Sequence, residues 1–156
     1  MSSLYLTILF ALQLQPTSKA SPVEAMYRAA VVHVACEAQG VPGIVGVSVA
    51  YQESRFDPDA ENASGARGLM QVMSGRACAW FSRPLRALGW AAARGTVVNA
   101  LEGCYRLATW KSSESWRRRY LCHYASGVTC KPKGALYERE VKARIVRFLQ
   151  RVKGDA

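Results

Sequence analysis

The carboxylates Glu53, Asp57, Asp59 and Glu61 crowd into residues 51–73, YQESRFDPDAENASGARGLMQVM. They are not equivalent. Glu53 follows Tyr51 at the end of the apolar run GIVGVSVAYQES. A carboxyl held against apolar surface loses hydration, which favours its neutral form. The negative end of a helix dipole pushes the same way. A carboxylic acid kept neutral near neutral pH can give its proton to a leaving oxygen. Asp57, Asp59 and Glu61 lie in the polar stretch RFDPDAENASGAR, where solvation keeps them ionised. Acids also end helices without catalysing anything, so position alone leaves a structural reading of Glu53 open. The Gly-rich half of the stretch lacks the Lys-Ser/Thr ending of a phosphate-binding loop.

The elements that must position Glu53 read as helices. Val23, Met26, Tyr27, Ala30, Val31 and Val34 make one face of a helix over residues 23–39, ended by Gly40. Pro42 fits the first turn of a second helix through GIVGVSVAYQES. That helix is apolar nearly all round and is expected to be buried, with Gly43 and Gly46 permitting close backbone approach. A loop marked by Pro58, Asn62, Gly65 and Gly68 follows, and helical patterning resumes near Leu69. SRPLRALGWAAARGT suggests a short helix between loops. Val98, Leu101, Tyr105, Leu107 and Ala108 suggest a helix from Val97 to Trp110. SSESWRRRYLCHYA suggests another, with Ser112 or Ser113 as N-cap. The C-terminal pattern is the clearest, with Tyr137, Val141, Ile145, Phe148 and Leu149 at helical spacing. No period-2 strand, long repeat or low-complexity tract stands out, so the fold class is mainly α.

A chain of 156 residues, half of them hydrophobic, builds one domain with a real core. The formal charge of +10 attracts polyanions: nucleic acid, anionic lipid or the acidic polymers of a cell wall. Arg117–Arg119 is the only dense basic run and reads as a solvated helix face. No basic tail and no aromatic-basic alternation supports nucleic-acid binding. Residues 1–20 read as a signal peptide. The uncharged run Leu4–Leu14 is too short to span a bilayer comfortably, and Ser18 and Ala20 precede a possible cut. No Lys or Arg precedes that run. No cysteine lies near the cut, so no lipid anchor is indicated. Cleavage would leave residues 21–156 as the working domain, exported to the periplasm or cell envelope. The cysteines, Cys36, Cys78, Cys104, Cys122 and Cys130, form no CxxC pair. Disulfides suit an exported chain, and Cys122 and Cys130 could close a tight loop. Spacing does not give the connectivity, and buried free thiols stay open.

The stretch ESRFDPDAENASGARGLMQVM resembles the signature of the soluble lytic transglycosylase family, which cleaves peptidoglycan. The matching residues are Glu53-Ser54, Pro58 and the run Gly65-Ala66-Arg67-Gly68-Leu69-Met70-Gln71. NALEGCYRL resembles a downstream family helix through Asn99 and Gly103, with Tyr105 displaced. YLCHYASG resembles a further segment through Tyr124, Ala125 and Gly127. The resemblance spans roughly residues 25 to 150. It implies a lysozyme-like fold of the goose-type/SLT kind, with a sugar-binding groove and the Gly-Leu-Met-Gln run opening a helix. It implies cleavage of the β-1,4 bond between N-acetylmuramic acid and N-acetylglucosamine, leaving 1,6-anhydromuramic ends.

By the same resemblance Glu53 is the catalytic acid and base. Ser54, Met70, Gln71 and Tyr124 bind or position substrate, with the Tyr124 hydroxyl approaching the catalytic carboxyl. No metal and no cofactor is needed. Leu69, Met70 and Tyr124 also fit as core, and Gly65 and Gly68 as backbone requirements. Ser126 replaces a usual Asn, Asn62 a frequent Ser, and His123 a common Ala. Two alternatives share the signature: a goose-type lysozyme hydrolysing the same bond, for which the loop acids would matter, and a non-catalytic peptidoglycan-binding assembly subunit. The expected partner is the glycan strand, within a secretion or conjugation apparatus or a phage particle.

Overall fold

The computed structural model describes residues 2–18, 20–73 and 95–154. Its helices are α1 (Ser3–Leu14), α2 (Pro22–Glu37), α3 (Gly43–Ser54), α4 (Thr96–Ser112), α5 (Tyr120–Ser126) and α6 (Pro132–Gly154). A two-stranded antiparallel hairpin, β1 (Ala66–Arg67) and β2 (Val72–Met73), sits between α3 and α4, pairing Ala66 with Met73 and Arg67 with Val72. The chain is mainly helical, as its periodicity indicates. Among the described residues no helix is long and apolar enough to cross a membrane.

Helix α2 starts where local chemistry says it should. Ser21 caps it, Pro22 takes its first turn, and Glu24 reaches back to the Ser21 backbone N–H at 2.9 Å. Its buried face differs from the one the large apolar residues predict. Val23, Tyr27 and Val34 are 69, 58 and 60 % exposed, while Ala25, Ala29, Val32 and Cys36 are fully buried. Small side chains let backbones approach, so the alanine face wins the core although it carries less hydrophobic area. The same logic joins α2 to α3, where a Cβ added at Gly46 would stand 2.3 Å from Cys36 Sγ. A Cys36–Cys104 disulfide then ties α2 to α4. Closing a loop of 68 residues restricts the unfolded chain by about 4 kcal/mol. The expected small loop also closes, through Cys122–Cys130. Cys78 and the helix expected in SRPLRALGWAAARGT, apart from Gly95 and Thr96, lie outside the described residues.

Helix α1 packs on α2 and α3. Phe10 is buried with its ring 5.0 Å from that of Phe148 on α6, and buried Thr7 hydrogen-bonds His33 Nδ1 at 3.0 Å. Cleavage after Ala20 would therefore remove part of this core.

Three expectations are corrected. Residues 68–71 form the turn of the β1–β2 hairpin and do not open a helix. Positive φ at Gly68 (76°) and Gln71 (46°) is incompatible with a helix start. A short sheet therefore exists where no period-2 pattern was visible, because two residues per strand are too few to alternate. Finally, Ser112 ends α4 and Ser113 is its C-cap, while Arg117–Arg119 form an exposed 3-10 turn leading into α5.

Candidate active site

Glu53 occupies the penultimate position of α3, which ends in unusual backbone. Arg55 and Phe56 both take positive φ, 58° and 62°. Such conformations are uncommon for a non-glycine residue and cost of order 1–3 kcal/mol each. The surroundings hold them. Arg28 of α2 donates to the Phe56 carbonyl at 2.6 Å, and the Ser18 hydroxyl donates to the Arg55 carbonyl at 2.9 Å. The Phe56 ring is fully buried, edge-on to Tyr51. The only other non-glycine at positive φ among the described residues is Gln71. All three flank Glu53 or share its cavity.

That cavity holds about 490 Å³, and its wall includes Glu53, Gln71, Arg106, Trp110, His123 and Tyr124. Glu53 is the one carboxylate among its described lining residues. Burial pushes the Glu53 carboxyl up to about 7, and a hydrogen bond donated by the Tyr137 hydroxyl to Oε1 at 2.6 Å pulls the other way. Burial and the neighbouring Glu53 together hold the Tyr137 phenol well above its ordinary range, so it stays a donor. A half-buried carboxyl that titrates near neutrality and has one fixed donor can release a proton and then hold the resulting charge.

The hairpin turn is clamped to α4 by Asn99. Its Oδ1 accepts from the Met70 N–H at 2.8 Å, and its Nδ2 donates to the Arg67 carbonyl at 2.8 Å. At Gly68 a Cβ would lie 2.3 Å from Asn99 Nδ2, and one at Gly103 would lie 2.5 Å from the Met70 side chain. The motif positions Asn99 and Gly103 therefore serve to seat the turn that carries Gln71.

The remaining expected site residues divide. Gln71 lines the cavity with Glu53, while its side-chain amide donates to the carbonyls of Ala60 and Gly68 at 3.0 and 3.1 Å. Tyr124 also lines it, but its hydroxyl donates to the Met70 carbonyl at 2.7 Å. The tyrosine bonded to the acid is Tyr137. Met70 is fully buried, and Ser54 is buried with its hydroxyl on the carbonyls of Ala50 and Leu69 at 3.1 and 2.9 Å. Neither is among the lining residues. Of the loop acids, Glu61 pairs with Arg67 at 2.7 Å, and Asp57 accepts from the Asp59 N–H at 2.9 Å, shaping the turn.

Sequence reading missed Tyr137, Arg106 and Trp110. Tyr137 belongs to the apolar face of the last helix and passes for core. The available signal was its hydroxyl, which needs a partner once its ring is packed. Arg106 donates to buried Glu102 at 2.8 Å and to the Met73 carbonyl at 3.1 Å, bracing α4 against β2.

The fold and site define a mainly helical domain with a cavity in which Glu53, at a helix end, is the one carboxylate among the described lining residues. Residues 31–83 match the family model of the transglycosylase SLT domain, so this segment is similar to the family that the motif resembles. A domain of that family is lysozyme-like and of the lytic-transglycosylase type that acts on peptidoglycan. No curated protein and no solved structure matches the chain.

Proposed function

We propose that the protein is a peptidoglycan lytic transglycosylase with Glu53 as both acid and base. The observation that carries this reading is the Glu53 carboxyl, raised to about 7 by burial, bonded by Tyr137, and the one acid among the described residues lining its cavity. Protonated Glu53 donates to the glycosidic oxygen as the C1–O bond breaks. The Tyr137 hydrogen bond stabilises the carboxylate so formed. That carboxylate then takes the proton from the muramic C6 hydroxyl as its oxygen bonds to C1, closing the 1,6-anhydro ring and restoring the acid. The attacking oxygen belongs to the substrate, so no second enzymic carboxylate is required, unlike the usual two-carboxylate scheme. The absence of Asp57, Asp59 and Glu61 from the described cavity lining favours this reading over goose-type hydrolysis.

Gln71 and Tyr124 contact the glycan in this reading. Ser54 and Met70 position the site from beneath, Ser54 through the Leu69 carbonyl and Met70 through its backbone bonds to Asn99 and Tyr124. The chain works outside the cytoplasmic membrane, with residues 1–20 directing export. There it opens the wall locally for an envelope-spanning secretion or conjugation apparatus, or for a phage. Mass spectrometry of products released from purified peptidoglycan tests the chemistry. Anhydro-muropeptides are expected, products one water heavier with reducing ends would establish a lysozyme, and no product would favour a binding subunit.

A further inference from the structure

One wall of the cavity is aromatic, and neither the acid chemistry nor the motif match uses it. Trp110 of α4 and His123 of α5 both line the cavity, and their rings stack at 5.5 Å with 24° between planes. Trp116 braces both, meeting Trp110 edge-on at 4.8 Å and His123 at 5.9 Å. The imidazole is locked from the other side, because a carbonyl only accepts: His123 Nδ1 donates to the Gly127 carbonyl at 2.9 Å. The indole of Trp110 is thus half-buried, stacked on His123, fixed by two neighbours and part of the cavity wall. Such a rigid platform costs little entropy to use.

We propose that Trp110, held by His123 and Trp116, is a glycan subsite that packs against the C–H face of an N-acetylhexosamine ring. A pyranose has an apolar face of axial hydrogens and a rim of hydroxyls. Trp110 matches the face. The polar side chains of Asn62, Ser64 and Lys133, which line the same cavity, suit the rim. Arg106 lies one helical turn from Trp110, so α4 supplies a continuous strip of cavity wall. The inference rests on the glycan-cleaving reading of Glu53 and adds the residue that fixes where the strand lies.

The test titrates the Glu53→Gln protein with the hexasaccharide of N-acetylglucosamine, following the indole N–H resonances by NMR and the affinity by calorimetry. The Trp110 resonance, assigned by its loss in Trp110→Phe, is expected to shift. Trp110→Ala in the same background is expected to weaken binding about tenfold, and Trp110→Phe to retain most of it. In the active protein Trp110→Ala is expected to raise KM more than it lowers kcat. An unmoved Trp110 resonance overturns the subsite whether or not Trp110→Ala folds, and so does a folded Trp110→Ala with unchanged affinity. If the wild type still releases anhydro-muropeptides in either case, the catalytic reading stands and only the subsite falls. A wild type that neither cuts peptidoglycan nor binds the hexasaccharide overturns both.

Discussion

The hydroxyl of Tyr137, near the start of the last helix, donates to Oε1 of Glu53 at 2.6 Å across a separation of 84 residues. Burial and this bond act on the carboxyl in opposite directions, and burial prevails. The result is an acid poised near neutrality with a partner ready for its anion.

Replacing Glu53 with Gln is expected to abolish release of muropeptides while preserving the fold. The wild-type kcat/KM should fall above about pH 7 as the acid ionises. The stability effect has a definite sign. The folded-state pKa lies above the reference 4.5, so the favourable contribution is complete below about 4.5 and is lost as pH rises through about 7. Glu53→Gln should therefore melt higher than the wild type at pH 8, with the gap narrowing at pH 4. Thermal melts at the two values check this, and a pH-independent gap would remove the link to ionisation.

Tyr137→Phe removes the one interaction that lowers the Glu53 pKa. The descending limb of the pH–rate profile is expected to move to higher pH, and kcat to fall by one to two orders of magnitude, roughly the 10²-fold scale of a positioned catalytic donor. A purely structural tyrosine would lower activity without moving the limb, so the profile itself separates the two roles.

Asn99→Ala leaves the Met70 N–H and the Arg67 carbonyl without their side-chain partner. Unfolding titrations are expected to show a loss of about 2–3 kcal/mol. Because the Asn99 clamp seats the turn bearing Gln71, activity should fall further than stability alone explains.

Export of the chain predicts a mature N-terminus at Ser21, to be read by mass spectrometry of the secreted protein. Its cost can be measured separately. A chain of residues 21–156 lacks the Phe10–Phe148 contact and the Ser18 bond to the Arg55 carbonyl, and is expected to melt several degrees below the full chain. Equal melting temperatures would show that α1 adds nothing to the folded domain.

Much of this was legible in the sequence, and the divide has a physical basis. Helix periods, caps and the short motif around Glu53 are local, so Ser21-Pro22, the apolar run ending at Glu53 and the spacing of the last helix announce themselves. The sequence by itself determined the mainly helical class and carried the family signature, and it singled out Glu53 as the acid candidate. What it misjudged depends on which surfaces meet. The larger residues of α2 drew attention to a face that stays exposed, while the face bearing Ala25, Ala29, Val32 and Cys36 took the core because its mostly small side chains allow close approach. Residues 68–71 looked helical, yet Gly68 against Asn99 and Gln71 at positive φ make them a hairpin turn. Only the tertiary structure decided that Tyr137, and not Tyr124, bonds the acid, that Ser54 and Met70 face inward, and that Trp110 and His123 share the cavity. Those relations join segments far apart in sequence, and neither spacing nor composition encodes a distance between them.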